Sequence, residues 1–209
     1  MLFEKEREEL AYFMRRLYMQ RLTTTSGGNI SLKTPDGYVL ITPSQTDKGR
    51  MSAEQIAVIG PDGKNLTEQL KLSMESGMHL KIYVKRPDVK AVVHAHPVFG
   101  TAFAVMHKEV NCRLMGEARA VIGEPAFADY ALMGTKELAQ IVAKAFANAN
   151  VVLMKNHGVI AAGNSLLQAF DRIEVLEATA RITYITACMG ECNEIGREDL
   201  YAIDDLFTP

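Results

Sequence analysis

Two histidines stand one residue apart at the end of an apolar run, in the segment KAVVHAHPVFG at residues 90–100. The β-branched residues of this run are typical of a buried strand. Side chains in a strand alternate between its faces, so His94 and His96 are predicted to point to the same side. Burying two imidazoles without partners costs about 1–3 kcal/mol for each unsatisfied group. A divalent metal held between the rings would remove that cost.

A third histidine, His157, is a candidate to join the pair. It ends a second apolar run, VVLMKNHG, and precedes Gly158, so it is predicted at a strand end or tight turn where the backbone approaches a site closely. Three histidines with an open position are the pattern of catalytic zinc. The His-x-His pair alone leaves a second interpretation open, in which the rings are exposed at a strand end or bond backbone carbonyls.

The residues after the pair exclude two common three-histidine signatures. A cupin would place a glutamate shortly after the pair, and a His-x-His-x-Asp-His hydrolase would continue with Asp-His, where this chain has Val98 and Phe99. An acid or base must therefore come from elsewhere, and Glu75 lies near the start of the helix that leads into the histidine strand. His79, four residues later, shares its helix face and either orients the carboxylate or packs without a chemical role.

The composition excludes several classes of protein. The chain has 209 residues, 48% of them hydrophobic, and a formal net charge of −2, which fits one domain over residues 1–209. It lacks the Lys/Arg block with which proteins bind nucleic acid, so we expect no nucleic acid partner. The charged N-terminal sequence and the absence of a run of about 20 apolar residues predict a cytoplasmic protein without a membrane partner.

The cysteines favour no disulfide framework and no thiolate metal site. They are odd in number and lack a C-x-x-C spacing. We expect Cys112, Cys188 and Cys192 to be reduced thiols that pack in the protein.

Hydrophobic periodicity and turn signals predict the elements that must position these residues. Helices are expected at 2–21, 75–86, 98–107, 136–149 with Thr135 as its cap, and 165–189 as the last; strands are expected at 30–33, 38–43, 56–60, 89–96 and 151–163. Two Pro-Asp-Gly turns join the first three strands into a meander. The predicted fold is mixed α/β, with a central, largely antiparallel sheet covered by helices.

The segment TTTSGGN at residues 23–29 is a candidate anion site. Its small residues and two glycines allow successive backbone N–H groups to converge on a phosphate. An ordinary glycine turn would have the same sequence, so the residues alone leave both interpretations open.

Four blocks in sequence order carry a family resemblance: TSGGNISL, ITPS, SMESGMHLKIY leading to RPDVKAVVHAHP, and NHGVIAAG. Together they resemble the class II aldolase/adducin family over residues 8–190. The resemblance implies a three-layer fold with helices on both faces of the sheet. It also implies a zinc-dependent lyase that reversibly cleaves a ketose 1-phosphate, such as L-fuculose 1-phosphate, to dihydroxyacetone phosphate and an aldehyde such as lactaldehyde. A homotetramer with active sites at subunit interfaces is implied as well.

The resemblance also assigns roles to residues. It implies that His94, His96 and His157 bind zinc, and that Glu75 is both the fourth ligand and the general base. It places the substrate phosphate at Gly28, Asn29, Ser44 and Ser73. Three neutral imidazoles and one carboxylate leave Zn²⁺ with a net charge of about +1, so the ion stays an effective Lewis acid.

Three positions depart from the pattern of fuculose-phosphate-cleaving members. Gln45 stands for a glycine and Met74 for a serine beside the phosphate, and Met115 falls where a neighbouring subunit would contribute an acidic tyrosine. Methionine cannot donate a hydrogen bond. Residues that could compensate at the phosphate are Thr25, Ser26, Thr46 and Lys48, and those that could supply the proton are Glu117 and Tyr130.

Two alternative functions remain. A sugar-phosphate dehydratase or 4-epimerase of the same family would use the same three histidines, although Glu75 counts against the epimerase, which resembles this chain but carries aspartate there. An adducin-like interaction module without catalysis would lack the metal ligands, so their presence counts against it.

Overall fold

Seven strands form one sheet that brings distant segments of the chain together. The computed structural model describes residues 2–207. The strands are β1 Asn29–Lys33, β2 Val39–Ile41, β3 Ala57–Ile59, β4 Ala91–Ala95, β5 Ala126–Ala128, β6 Val151–Met154 and β7 Gly158–Gly163. Their order is β3-β2-β1-β4-β7-β6-β5, and every neighbouring pair is antiparallel except the parallel pair of β5 and β6. The histidine strand β4 is therefore central.

Helices cover both faces of this sheet. They are α1 Glu4–Met19, α2 Ser76–Lys85, α3 Val98–Met106, α4 Gly116–Ile122, α5 Lys136–Ala145, α6 Leu166–Met189 and α7 Arg197–Phe207. One core joins the sheet to α1, α3, α4 and α6, and a second core joins its other face to α2 and α5. The predicted three-layer, largely antiparallel α/β fold is confirmed.

Alternation along β4 explains how one strand serves both cores. Ala91, Val93 and Ala95 belong to the core under α1 and α6, whereas Val92 belongs to the core under α2 and α5. Because side chains alternate with period two, His94 shares the face of Val92. The strand thus directs its histidine toward the side of the sheet where α2 begins.

The sequence predicted most of these elements within a few residues of their ends, and Thr135 caps α5 as expected, with its Oγ1 accepting a hydrogen bond from the Leu138 N–H at 3.2 Å. Two predictions were wrong. Residues 151–163 form a hairpin rather than one strand, because Asn156, at φ 55°, turns the chain between β6 and β7. The helix at 165–189 is not the last, since α7 follows and packs against α4.

No helix among residues 2–207 has the length and hydropathy needed to cross a bilayer.

The three cysteines differ in exposure. Cys112 is buried, as predicted, but Cys188 and Cys192 are exposed, so the expectation that they pack was wrong. Cys188 lies in the last turn of α6, and Cys192 follows the end of that helix, beyond the contacts that bury its first half. All three are free thiols.

Thiol labelling tests this arrangement. At about pH 8, a disulfide-exchange reagent should react with two thiols per native chain and with the third only after unfolding. The reason is that Cys112 is 5% exposed and its burial raises the pKa of the thiol to about 12. Stopped-flow absorbance should show two rapidly reacting thiols per chain in the wild type and one in a Cys188→Ser variant. A third fast equivalent in the native protein would contradict the fold around α4.

Candidate functional site

Three histidines meet at the end of the central strands. His94 is the fully buried next-to-last residue of β4, His96 lies just beyond that strand, and His157 lies in the turn between β6 and β7. Since β4 pairs with β7, this turn is held beside the end of β4. Nitrogens of the three rings lie within 4.8 Å of one another, and His94 Nε2 is 3.1 Å from His96 Nε2. The predicted convergence of the three rings is therefore observed.

Two glycines make this convergence sterically possible. A Cβ on Gly158 would lie 2.5 Å from Cδ2 of His96, and one on Gly27 would lie 2.9 Å from its Nδ1. Real Cβ atoms essentially never come closer than 3.0 Å, so a larger residue at either position would displace the ring. The backbone approach that the Gly158 position predicted is present.

Glu75 completes the cluster from the opposite direction. It is the N-cap residue of α2 and is buried. Its Oε2 lies 3.3 Å from His94 Nε2, and its Oε1 lies 3.1 Å from His157 Nε2. The structure thus brings together all four residues to which the resemblance assigned a metal.

The chemistry of this donor set fits a divalent cation. The Nδ1–H of His94 donates to the Val159 carbonyl at 2.9 Å, which leaves Nε2 of the neutral ring with an unprotonated lone pair. That lone pair faces a carboxylate oxygen of Glu75. Oε1 of Glu75 is also buried and lies 3.1 Å from Nε2 of His157. Lone pairs that face one another in a buried site need positive charge between them.

The acid–base equilibria of the cluster lead to the same conclusion. Burial lowers the pKa of His94, and burial together with repulsion from His94 lowers the pKa of His96 to about 3. Burial raises the pKa of the Glu75 carboxyl, but attraction to the His94 and His157 positions and the Asn29 hydrogen bond outweigh it, so this pKa is lowered. The carboxylate therefore favours a neighbouring positive charge that His94 and His96 are poorly placed to carry, and that a metal ion would supply.

A buried chain of hydrogen bonds holds Glu75 from behind. Asn29 Nδ2 donates to Glu75 Oε2 at 2.7 Å, and Asn29 Oδ1 accepts from His79 Nε2 at 2.5 Å. With Nε2 protonated, Nδ1 of His79 accepts from Ser31 Oγ at 2.7 Å, which in turn accepts from the Tyr83 hydroxyl at 2.7 Å. Burial lowers the pKa of His79 to about 3, so the ring stays neutral and the direction of every donor is fixed.

This chain decides between the two interpretations of His79. The ring is fully buried and orients the carboxylate, but it acts through Asn29 rather than by contact with Glu75. Asn29 is expected at the phosphate and lines the cleft, and its side-chain amide is bonded to Glu75 and His79. Sequence analysis missed Ser31 and Tyr83. Period-two alternation offered a signal, because Asn29 pairs with His94 in the sheet and Ser31 lies on the same face.

A cleft of about 370 Å³ opens over this cluster. Its lining includes three members of the cluster, Glu75, His96 and His157. It also includes all four residues expected at a phosphate, namely Gly28, Asn29, Ser44 and Ser73. Lining residues that the sequence did not predict are Pro43, Met133 and Asn156. His94 is buried behind this surface. The metal cluster and the candidate anion site thus share one cleft.

The three departures from the family pattern take different places. Gln45 adopts φ 58°, a left-handed backbone conformation that suits the glycine it replaces. Met74 is 62% exposed and lines the cleft. Met115 caps α4 and packs against the core with partial burial, while Glu117 and Tyr130 are exposed.

Three curated proteins with different names have sequences similar to most of this chain. An "L-fuculose phosphate aldolase" of Methanococcus vannielii is 37% identical over 169 residues, which span 81% of this chain and 90% of that protein. A "5-deoxy-D-ribulose 1-phosphate aldolase" of Bacillus thuringiensis is 34% identical, over 91% of this chain and 90% of its own length. A "3-oxo-tetronate 4-phosphate decarboxylase" of Escherichia coli is 31% identical, over 86% of both.

Solved structures and family models agree with these sequences. The structure titled "L-fuculose 1-phosphate aldolase" superposes with a TM-score of 0.90 at 31% identity, covering 99% of this chain and 98% of that one. The family model described as "Class II Aldolase and Adducin N-terminal domain" matches residues 8–184. The chain therefore belongs to the class II aldolase and adducin family and is one of its enzymes.

Proposed function

We propose that this protein is a zinc-dependent lyase that reversibly cleaves a ketose 1-phosphate, such as L-fuculose 1-phosphate, into dihydroxyacetone phosphate and a small aldehyde such as lactaldehyde. The observation that carries the proposal is the convergence of His94, His96, His157 and Glu75 in a cleft that also presents the Gly28 and Ser44 loops. The two aldolase-named relatives, which act on related sugar phosphates by their names, support the substrate class.

Zinc held by the three histidines would supply a Lewis acid that polarises the substrate oxygens and reduces the negative charge developing on carbon. In cleavage, the electron pair of the broken C–C bond stays on the phosphate-bearing fragment, and the hydroxyl that becomes the aldehyde gives its proton to a base, for which Glu117 and Tyr130 are the candidates. Glu75 delivers a proton to the carbon that keeps the electron pair, and in synthesis it removes that proton. No lysine Schiff base is required.

The rest of the proposal concerns binding and assembly. Gly28, Ser44 and Ser73 would hold the phosphate through backbone and hydroxyl donors at the far part of the cleft. Two exposed apolar side chains, Met74 and Met133, line the cleft, and the segment that leads to Met133 exposes Tyr130 and Leu132 as well. Large exposed apolar groups in one region are typical of interaction surfaces, which supports a homotetramer with active sites at subunit interfaces.

Decarboxylation of a phosphorylated 3-oxo acid is a second candidate. Loss of CO₂ leaves the same electron pair on carbon, and Glu75 could protonate it, but no hydroxyl has to lose a proton. The absence of the family tyrosine, whose position Met115 occupies, therefore matters less for decarboxylation than for aldol cleavage. The decarboxylase-named relative from Escherichia coli supports this alternative.

Product analysis separates the two reactions. Zinc-loaded protein incubated with L-fuculose 1-phosphate and with a phosphorylated 3-oxo acid should release dihydroxyacetone phosphate from the first, measured by a coupled dehydrogenase assay. Chelation should abolish this release and added zinc should restore it, because Glu75 alone cannot stabilise the developing charge. If CO₂ is released from the acid and the ketose is not cleaved, the protein is a decarboxylase and the aldolase assignment is wrong.

Substitution at Glu75 tests its assignment as the proton carrier. Glu75→Gln should bind zinc better than His94→Ala, since it keeps all three imidazoles, yet it should lose about 10²–10⁴-fold in kcat because an amide cannot exchange the proton. Metal content by atomic absorption and kcat measured on the same samples give the comparison. Wild-type turnover in Glu75→Gln would refute the role.

The buried chain behind Glu75 predicts a separate effect. His79→Phe should lower kcat about 10- to 100-fold with zinc content retained, because Asn29 loses the donor that orients it. The carboxylate then loses a stabilising hydrogen bond, so its pKa rises and the acid limb of kcat/KM moves to higher pH.

His79→Gln is the matched control, since its amide can still donate to Asn29 and should recover part of the activity. A His79→Phe protein whose acid limb stays at the wild-type pH would show that the ring has only a packing role.

A further inference from the structure

Lys48 is a buried ammonium group without a counterion. It is 1% exposed, and its Nζ donates to the Pro43 carbonyl at 2.8 Å and to Thr46 Oγ1 at 3.2 Å. An ammonium has three donors, and no residue in the described part of the chain accepts from the third. No carboxylate of residues 2–207 lies within 4.0 Å of Nζ.

Burying such a charged group destabilises the folded protein. Removing an ammonium from water costs several kcal/mol, and two neutral oxygens repay only part of it. Burial lowers the pKa of Lys48 to about 8, so the side chain still carries its charge at neutral pH. A methionine of similar length would fill the same space without this cost. The buried charge of Lys48 would therefore be stabilised by a bound anion.

The position of Lys48 indicates where that anion binds. The Lys48 backbone N–H donates to the Thr25 carbonyl at 2.9 Å, which ties the loop after β2 to the glycine loop before β1. Lys48 is also one of the residues that line the cleft, together with Ser26, Gly28 and Ser44. The unpaired cation thus stands where the two candidate phosphate loops meet.

The other charges of the cleft strengthen this assignment. Lys48 is the only lysine or arginine among its described lining residues, and the nearest ionised group of the cluster, Glu75, is negative. The serine hydroxyl that the family resemblance implies at position 74 is replaced by Met74, which lines the cleft but cannot donate. Among the described lining residues, no other lysine or arginine is present to balance the charge of a phosphate dianion bound here.

We propose that Lys48 is the buried countercharge of the phosphate subsite and sets the preference of this enzyme for phosphorylated over unphosphorylated sugars. This rests on the proposed function for the identity of the substrate, but not for the binding of phosphate itself. The ammonium donates its third N–H to a phosphate oxygen, and the bound dianion repays the desolvation of the lysine.

Phosphate binding to the zinc-loaded protein tests the charge directly. Titration with inorganic phosphate, followed by calorimetry, should give a Kd about 10- to 100-fold weaker in Lys48→Gln than in the wild type, the loss expected for one charge-assisted hydrogen bond. Glutamine keeps neutral donors for Pro43 and Thr46, so it preserves the loop contacts while removing the charge. Lys48→Arg should recover part of the affinity, and Lys64→Met, which removes an exposed lysine, should bind as the wild type does.

Kinetics supply the second measurement. In Lys48→Gln, kcat/KM should fall for a ketose 1-phosphate and stay unchanged for the same ketose without phosphate. An equal fall for both, or equal phosphate Kd values in Lys48→Gln and wild type, would overturn the proposal in favour of a loop-stabilising lysine. If no sugar is cleaved, the aldolase assignment fails while the phosphate titration still decides the role of Lys48; a wild type that binds no phosphate would refute it.

Discussion

The structure depends on one electrostatic constraint, which is that unprotonated lone pairs converge in a buried place. His94 presents its bare Nε2 because its other nitrogen donates to a backbone carbonyl, and Glu75 faces it with a carboxylate oxygen at 3.3 Å. Without a cation these groups repel one another in a low-dielectric site. The arrangement is therefore costly as a packing solution and favourable as a metal site.

Much of the surrounding fold can be understood as support for that arrangement. Antiparallel pairing of β4 with β7 brings the His157 turn to the end of the histidine strand, and Gly158 leaves room for the His96 ring. On the same face, the start of α2 carries Glu75. The polar chain from Tyr83 through Ser31 and His79 is fully satisfied, so it fixes the carboxylate at little cost in stability.

We expect substrate selection to depend on the loops of the cleft that carry Gly28 and Ser44, where the sequence departs from the pattern of fuculose-phosphate-cleaving family members. A methionine stands at the rim where a serine would donate, and the amide of Asn29 is committed to Glu75. In the binding mode proposed above, an anion is held by backbone N–H groups, hydroxyls and the buried charge of Lys48. Relatives of this chain include proteins named as aldolases and one named as a decarboxylase, so one fold accommodates more than one reaction.

The sequence by itself predicted the histidine cluster, the family and most of the elements. Period-two alternation places His94 and His96 on one side of a strand, and the His157-Gly158 pair marks a close backbone approach; both are local rules that need no tertiary information. Prediction from the sequence failed for features that depend on contacts between distant segments. Only the tertiary structure split residues 151–163 into a hairpin, exposed Cys188 and Cys192, turned Asn29 toward Glu75 and buried Lys48 without a carboxylate. Side-chain partners and burial are set by how the sheet and helices pack, and spacing along the chain does not encode that.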